Sequence, residues 1–376
     1  MRSALRSILA KPVIWVANRY TSAPHRQEIF DALNGLRSHL EEEGSKGFVL
    51  PFSQHGNRFI ILSDQHKGRK NGADDFRGSE HNYLEALAWY DRHRYHLVSL
   101  GDAEELWENT LLQVIRHNQA SYALEKKFVK RNAFTKVVGN HDLDWDIDPL
   151  GPTYIKKLYG VELPVLHGLI LETRVDGSPF RILCTHGHQG DRQSDGNWFS
   201  KFFITKIWAP LQSFLEINPN TPAFDRELKT EHNRIMHDWA MLQQNMILIT
   251  GHTHQAVFES LTRYERLQWL KRQALYNENR EWAEAIENEM QWRKSEDTHI
   301  ADEASPFRPV YFNTGCCCYA DGDITGIEIA DGWIRLIKWK QDRNAATRIV
   351  LQERVFDDLV RDVRVPSLKA SPAWLH

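Results

Sequence analysis

Short, mostly apolar runs recur along the chain, each followed at once by a polar cluster and then by a segment with helical spacing. Five of them are Phe59–Leu62, His96–Leu100, Phe134–Val138, Arg181–Cys184 and Met246–Ile249. Runs of this length, rich in β-formers and each followed by a polar cluster, predict strands. Their alternation with helical segments predicts βαβ units, an α/β protein whose site lies at the C-terminal strand ends. Three later runs, Val310–Asn313, Ile324–Ile329 and Trp333–Trp339, surround the turns Asp321-Gly322 and Asp331-Gly332 and read as closing strands.

The same pattern divides the chain. Residues 1–55 read as an N-terminal extension holding an amphipathic helix over Gln27–Glu43, and the domain proper spans 56–340. Two segments, about 196–245 and about 258–305, read as insertions, and 341–376 as a C-terminal tail. The first insertion carries an apolar, aromatic stretch, Phe202–Leu215, which either packs on the domain or forms a lid over an acyl chain or a membrane surface. The second reads as a long helix or helical hairpin. Its Trp269, Trp282 and Trp292 fall near helical spacing, as in core packing or a partner-facing helix.

Composition narrows the partners. With 47 basic and 50 acidic side chains the net charge is -3, so no bulk positive field gathers nucleic acid. The best N-terminal apolar segment, Ile8–Trp15, is interrupted by Lys11 and Pro12 and falls short of the roughly 20 residues of a membrane span. Three of the four cysteines, Cys316, Cys317 and Cys318, are consecutive, a spacing that suits neither a disulfide framework nor a zinc finger. They read as strand residues alternating between core and surface. The expected location is cytoplasmic, with attachment to a membrane surface if Phe202–Leu215 serves as a lid.

Each of the five strand ends delivers metal-competent side chains. Asp64 and His66 follow the first, Asp102 and Glu105 the second, Asn140 and His141 the third, His186 and His188 the fourth, and His252 and His254 the fifth. Mixed oxygen and imidazole donors in this number point to two metal ions, with Asp102, alone after its strand, as the bridging carboxylate. With no thiolate among the donors, the set suits Mn, Fe or Zn. Glycines at 101, 139, 187 and 251 allow the sharp turns and close approach that such a centre needs.

The series from Asp64-Gln65-His66 through Gly101-Asp102, Gly139-Asn140-His141-Asp142 and His186-Gly187-His188 to Gly251-His252-Thr253-His254 resembles the calcineurin-like metallophosphoesterase superfamily, over roughly 58–256 plus the closing strands. The resemblance implies a four-layer αββα sandwich of two mixed β-sheets flanked by helices, here with helical insertions. It implies one metal held by Asp64, His66, Asp102 and His254 and a second by Asp102, Asn140, His186 and His252. His141 would stand beside the metals, near the leaving-group oxygen, with Glu105 orienting it, and Asn313-Thr314-Gly315 resembles the turn after the last core strand. Glu105 and Leu106 stand where protein Ser/Thr phosphatases of the superfamily have aspartate and then a phosphate-clamping arginine, which argues against that branch. His141 and His186-Gly187-His188 likewise depart from the lipid-A-type pyrophosphatases.

The expected activity is hydrolysis of phosphoesters or phosphoanhydrides, by in-line attack of a metal-bridging hydroxide with His141 assisting departure of the leaving oxygen. The substrate would be a phosphorylated small molecule, a nucleotide or a lipid-linked pyrophosphate, the last acting at a membrane surface. A catalytically silent scaffold of the same fold is the alternative. His188 reads as a substrate-side or plain loop histidine, and Asp191 as a partner for a ligand histidine or a solvated turn residue. Lys67, Arg69 and Lys70 either meet a substrate phosphate or belong to a solvated loop, where Asp74 and Asp75 would repel that phosphate.

Overall fold

The computed structural model describes residues 24–42, 48–72, 74–190, 226–292, 308–342 and 345–364. Its elements, in chain order, begin with α1 (Arg26–Glu41), β1 (Val49–Pro51), β2 (Phe59–Leu62), α2 (Phe76–Arg92), β3 (His96–Leu100), α3 (Leu111–His117) and α4 (Gln119–Lys130). Next come β4 (Phe134–Val137), α5 (Asp144–Ile147), α6 (Gly151–Tyr159), β5 (Val165–Leu166), β6 (Gly168–Val175), β7 (Ser178–Thr185), α7 (Arg226–Met241) and β8 (Met246–Thr250). The remainder are β9 (Val257–Phe258), β10 (Leu261–Thr262), α8 (Arg263–Tyr276), α9 (Arg280–Trp292), β11 (Tyr311–Asn313), β12 (Ile324–Ala330), β13 (Trp333–Asp342), β14 (Ala345–Val355) and α10 (Phe356–Arg364). The eight strands expected from the apolar runs all form.

These strands make two mixed seven-stranded sheets, ordered β1-β6-β7-β8-β11-β9-β10 and β14-β13-β12-β2-β3-β4-β5. Within the second, β2, β3, β4 and β5 run parallel, whereas β12, β13 and β14 are antiparallel additions on the β2 side. Period-two alternation explains why the parallel strands read as unbroken apolar runs. Phe59 and Ile61 of β2 face the core shared with the first sheet, while Ile60 and Leu62 face the core under α2 and α4. Helices α1 and α7 pack on the first sheet, so the layers run helix, sheet, sheet, helix. This is the expected αββα sandwich.

Domain boundaries need correcting at both ends. The N-terminal segment is part of the domain from α1 onward, because Ile29, Leu33, Leu36 and Leu40, at helical spacing, form a buried stripe packed with the first sheet and α7. Strand β1 pairs in parallel with β6. The expected tail is no tail over 345–364. Strand β14 pairs with β13 along its length, and α10 buries Phe356, Leu359, Val360 and Val363 in the same core.

The insertions are helical where described. Helix α7 buries Ile235, Met236, Trp239 and Ala240, and α8 and α9 form an antiparallel hairpin with a small core of its own around Leu267, Ala274 and Ile286. The second insertion begins inside the sheet, since β9 pairs with β11. Trp282 is 41% exposed, while the side chains of Trp269 and Trp292 fall outside the described residues, as do Phe202–Leu215 and Asp191. No helix among the described residues is long and apolar enough to cross a membrane.

Candidate metal centre

Five loops, three leaving β2, β3 and β4 in one sheet and two leaving β7 and β8 in the other, meet at one spot. Backbone bonds lock them together before any side chain takes part. The Asp64 and His66 amides donate to the carbonyls of Gly101 and Asp102 (3.1 and 2.9 Å), and the Gly251 amide donates to His186 (3.0 Å). Loop contact is close enough to require glycine. A Cβ on Gly139 would lie 2.1 Å from Asp102 Oδ1, and one on Gly251 would lie 2.5 Å from Asp64 Oδ2. The side chains are aimed by backbone that ordinary residues avoid: Asp64, His66, Asp102, His252 and His254 all have positive φ, from 49° to 69°.

On one side stand Asp64, His66 and His254. His254 Nε2 is 3.2 Å from both Asp64 Oδ1 and His66 Nε2. His66 Nδ1 lies 3.0 Å from Glu105 Oε2, which aims the opposite ring nitrogen, Nε2, at His254 and Asp64. On the other side His186 Nδ1 donates to the Leu100 carbonyl (3.0 Å), which turns its Nε2 toward Asp102 Oδ2 at 3.1 Å. Asn140 Oδ1 and His252 Nε2 are buried without a hydrogen-bond partner. Asp102 lies between the two groups: its Oδ2 faces His186 and lies 3.8 Å from His66 Nε2, while its Oδ1 accepts the His141 amide (2.8 Å).

So many converging acceptors, with donors spent on outward partners, require positive charge at their centre. The titration behaviour agrees. Burial by itself would push His186 and His254 down, but the carboxylates of Asp102 and Asp64, with Cys316 also beside His254, raise them to about 9 and about 10. Burial and the neighbouring His186 and His232 push His252 well below its ordinary value, so it is a neutral imidazole. Two cations satisfy these donors, and the residues therefore fit a dinuclear centre.

His141 stands beside this cluster. Its Nδ1 is 2.7 Å from Glu105 Oε2, and its ring stacks on Trp107 with centroids 3.7 Å apart. Burial lowers the imidazole, but Glu105 and Asp102 outweigh that and raise it to about 9; conversely, burial raises Glu105, while His141 and His66 bring it down to about 2. The Trp107 indole N–H also donates to the Asn140 carbonyl (2.9 Å), tying the Asn140–His141 loop from a second direction.

Other residues fall out differently. Lys67 is buried, with Nζ 2.8 Å from Glu125 and 3.3 Å from Glu104, so it is no phosphate clamp. Lys70 is held by Glu80 at 2.6 Å and Asp74 accepts the Lys70 amide (2.6 Å), which makes that loop self-contained. His188 is buried, its ring 5.4 Å from that of His186. Cys316, Cys317 and Cys318 occupy the loop after β11, with no strand there, and the Cys318 sulfur lies 3.8 Å from His254 Nδ1. Asp142 is an addition: its two oxygens accept the Ala103 and Gly139 amides (2.9 and 2.6 Å) and stitch two site loops together. Its place in the Gly-Asn-His-Asp run was the only signal for it.

A family model described as calcineurin-like phosphoesterase matches residues 57–256. No curated protein matches the sequence. Among solved structures, Vacuolar Protein Sorting 29 from Cryptosporidium parvum is 12% identical over 80% of this chain and 99% of its own, with a TM-score of 0.30. A single-residue variant of Vps29 from Entamoeba histolytica is 12% identical over 78% and 99%, at 0.29. A dimetal phosphatase from Danio rerio is 10% identical over 79% and 99%, at 0.34.

Proposed function

The chain belongs to the calcineurin-like phosphoesterase family, and we propose that it hydrolyses phosphoester or phosphoanhydride bonds of a phosphorylated small molecule or nucleotide, using two divalent ions. The observation that carries this reading is the convergence of carboxylate, amide and imidazole ligand atoms from five strand ends. Asp64, His66, Asp102 and His254 would hold one ion and Asp102, Asn140, His186 and His252 the other, with Asp102 shared. When bound, such a pair supplies Lewis-acid stabilisation of phosphoryl charge and a water acidic enough to act as nucleophile.

The chain's own residues do the rest. Asp102 fixes the separation of the two halves and, through Oδ1, holds the His141 backbone. His141 keeps one proton on Nδ1 toward Glu105, which leaves Nε2 to present a proton to a departing oxygen. Glu105 contacts both His141 and His66, so one carboxylate sets the tautomer of a metal-side imidazole and of the proton donor. Leu106, buried at 5% exposure, occupies the position of the arginine clamp, so phosphoryl charge is met chiefly at the metal centre.

The test is metal analysis of the purified chain, joined to hydrolysis of p-nitrophenyl phosphate and bis(p-nitrophenyl) phosphate, with Asp102→Ala beside wild type and Mn²⁺ added back. About two ions per chain and loss of turnover in the variant are expected. Absence of bound metal after Mn²⁺ addition overturns the reading, and two ions without turnover on a broad phosphoester panel leaves the scaffold.

A further inference from the structure

The loop from Gly315 to Tyr319 is built around His254. The Tyr319 hydroxyl donates to the His254 carbonyl (3.2 Å), and the Cys317 amide donates to the Asp64 carbonyl (3.1 Å), so the loop grips two residues of the same half-site. The Cys318 sulfur lies 3.8 Å from His254 Nδ1, and Cys316, two residues before it and buried, bears on the same imidazole. Cys317, between them, faces the other way, its sulfur toward the Thr325 carbonyl. Alternation along three consecutive cysteines thus places two thiols against one imidazole, whose Nε2 faces Asp64 and His66.

In a metal-binding histidine the outer nitrogen ordinarily donates to a carboxylate or carbonyl, which fixes the ring. Sulfur does the same more weakly, and sulfur can be oxidised. Cys318 is half-buried and open to a small oxidant, whereas Cys184 and Cys317 are fully buried.

We infer that Cys316 and Cys318 form a reversible disulfide that withdraws the sulfur from His254 and so weakens the ion held by Asp64, His66 and His254. This rests on the metal-centre reading above. The oxidant is of the hydroperoxide class. With hydrogen peroxide the S–S bond forms as the O–O bond breaks, the two thiols give up two electrons, and their two protons leave with the peroxide oxygens as two waters. A dithiol reductant reverses the change by exchange.

The experiment treats full-length protein, loaded with Zn²⁺ or Mn²⁺, with small equivalents of hydrogen peroxide, then measures intact mass, free thiols and metal affinity before and after dithiothreitol. The expected result is a loss of about two mass units and of two of the four thiols. One ion should bind about 10–100-fold more weakly, with both changes reversed by reductant. Cys316→Ser leaves the Cys318 sulfur on His254 and removes the capacity to form the disulfide, so peroxide should no longer change the metal affinity of this variant. A disulfide formed with both affinities unchanged overturns the inference, as do thiols lost only to oxygen adducts or to bonds between chains. Reduced wild type that binds no ion overturns the metal-centre reading instead.

Discussion

Beneath the metal loops lies a fully buried network of charge, and its disruption is the sharpest test of how the loops are held. Glu104, at 0% exposure, sits between Asp102 and Glu105 in sequence. It accepts from Lys136 Nζ (2.7 Å), the Trp145 indole (2.7 Å) and the Tyr122 hydroxyl (3.1 Å), with Lys67 Nζ 3.3 Å away. Glu104→Gln keeps the shape and removes the charge. Lys67 would retain Glu125 at 2.8 Å, but the nearest remaining carboxylate to Lys136 is Asp142 at 3.8 Å. Breaking a buried pair from one side costs about 3–5 kcal/mol, and the retained partners place this case at the lower end, about 3 kcal/mol. At about 2.1 cal/mol/K of unfolding entropy per residue, that is roughly a 4–5 °C fall in melting temperature for a domain of this size. Guanidinium unfolding and thermal melts of Glu104→Gln, Lys136→Met and the double variant would measure it. The double should be less destabilised than the sum of the singles by at least about 0.5 kcal/mol. A single-variant loss under about 1 kcal/mol, or strict additivity, would refute the claim that these charges depend on one another.

The other predictions are independent of that network. Replacing His141 with Ala should leave two ions bound and lower kcat by about 10²–10⁴-fold, more for poor leaving groups than for p-nitrophenolate; equal losses for both would remove the proton-donor role. His96, whose Nε2 lies 2.8 Å from Thr135 Oγ1, is pushed down to about 4 by burial and by Arg131. The unfolded chain therefore takes up a proton near pH 6.5 that the folded chain refuses until about pH 4, and stability should fall by up to about 3 kcal/mol across that window; urea unfolding of wild type and His96→Gln at pH 7 and pH 5 should show a steeper fall in wild type. Deleting residues 345–364 removes Phe356, Leu359, Val360 and Val363 from the core, each contributing about 1.5–3 kcal/mol. The sum rivals the whole stability of a domain, so the truncated chain should lack a cooperative melt, and retention of one within a few degrees of wild type would contradict the corrected boundary.

That Asp64, His66, Asp102 and the later histidines gather at one place was legible in the sequence, because they sit where apolar runs stop. Strands β2, β3, β4, β7 and β8 were legible for the same reason, since burial on both faces writes an unbroken apolar run. Strand β14 was not. It is an edge strand in which the two buried residues are the polar Gln352 and Arg354, and only its pairing with β13 defines it. Strands β1, β5, β9 and β10, of two or three residues, are too short to show a period. Charged residues such as Lys67, Glu104 and Lys136 read locally as solvated and become a buried network only when distant segments meet. Trp107 gave no signal at all, because stacking on His141 is a tertiary contact between residues 34 positions apart.

The left-handed backbone at Asp64, His66, Asp102, His252 and His254 has a consequence for the stability of the chain. Each such conformation disfavours a residue bearing a Cβ by roughly 1–2 kcal/mol, and the same five positions bring two carboxylates and three imidazoles into one dry spot. The surrounding fold must be stable enough to tolerate both. Glycine or asparagine at these turns would relieve that cost and raise stability. Holding all five residues where each is locally disfavoured is therefore a standing cost in stability that the rest of the fold must carry.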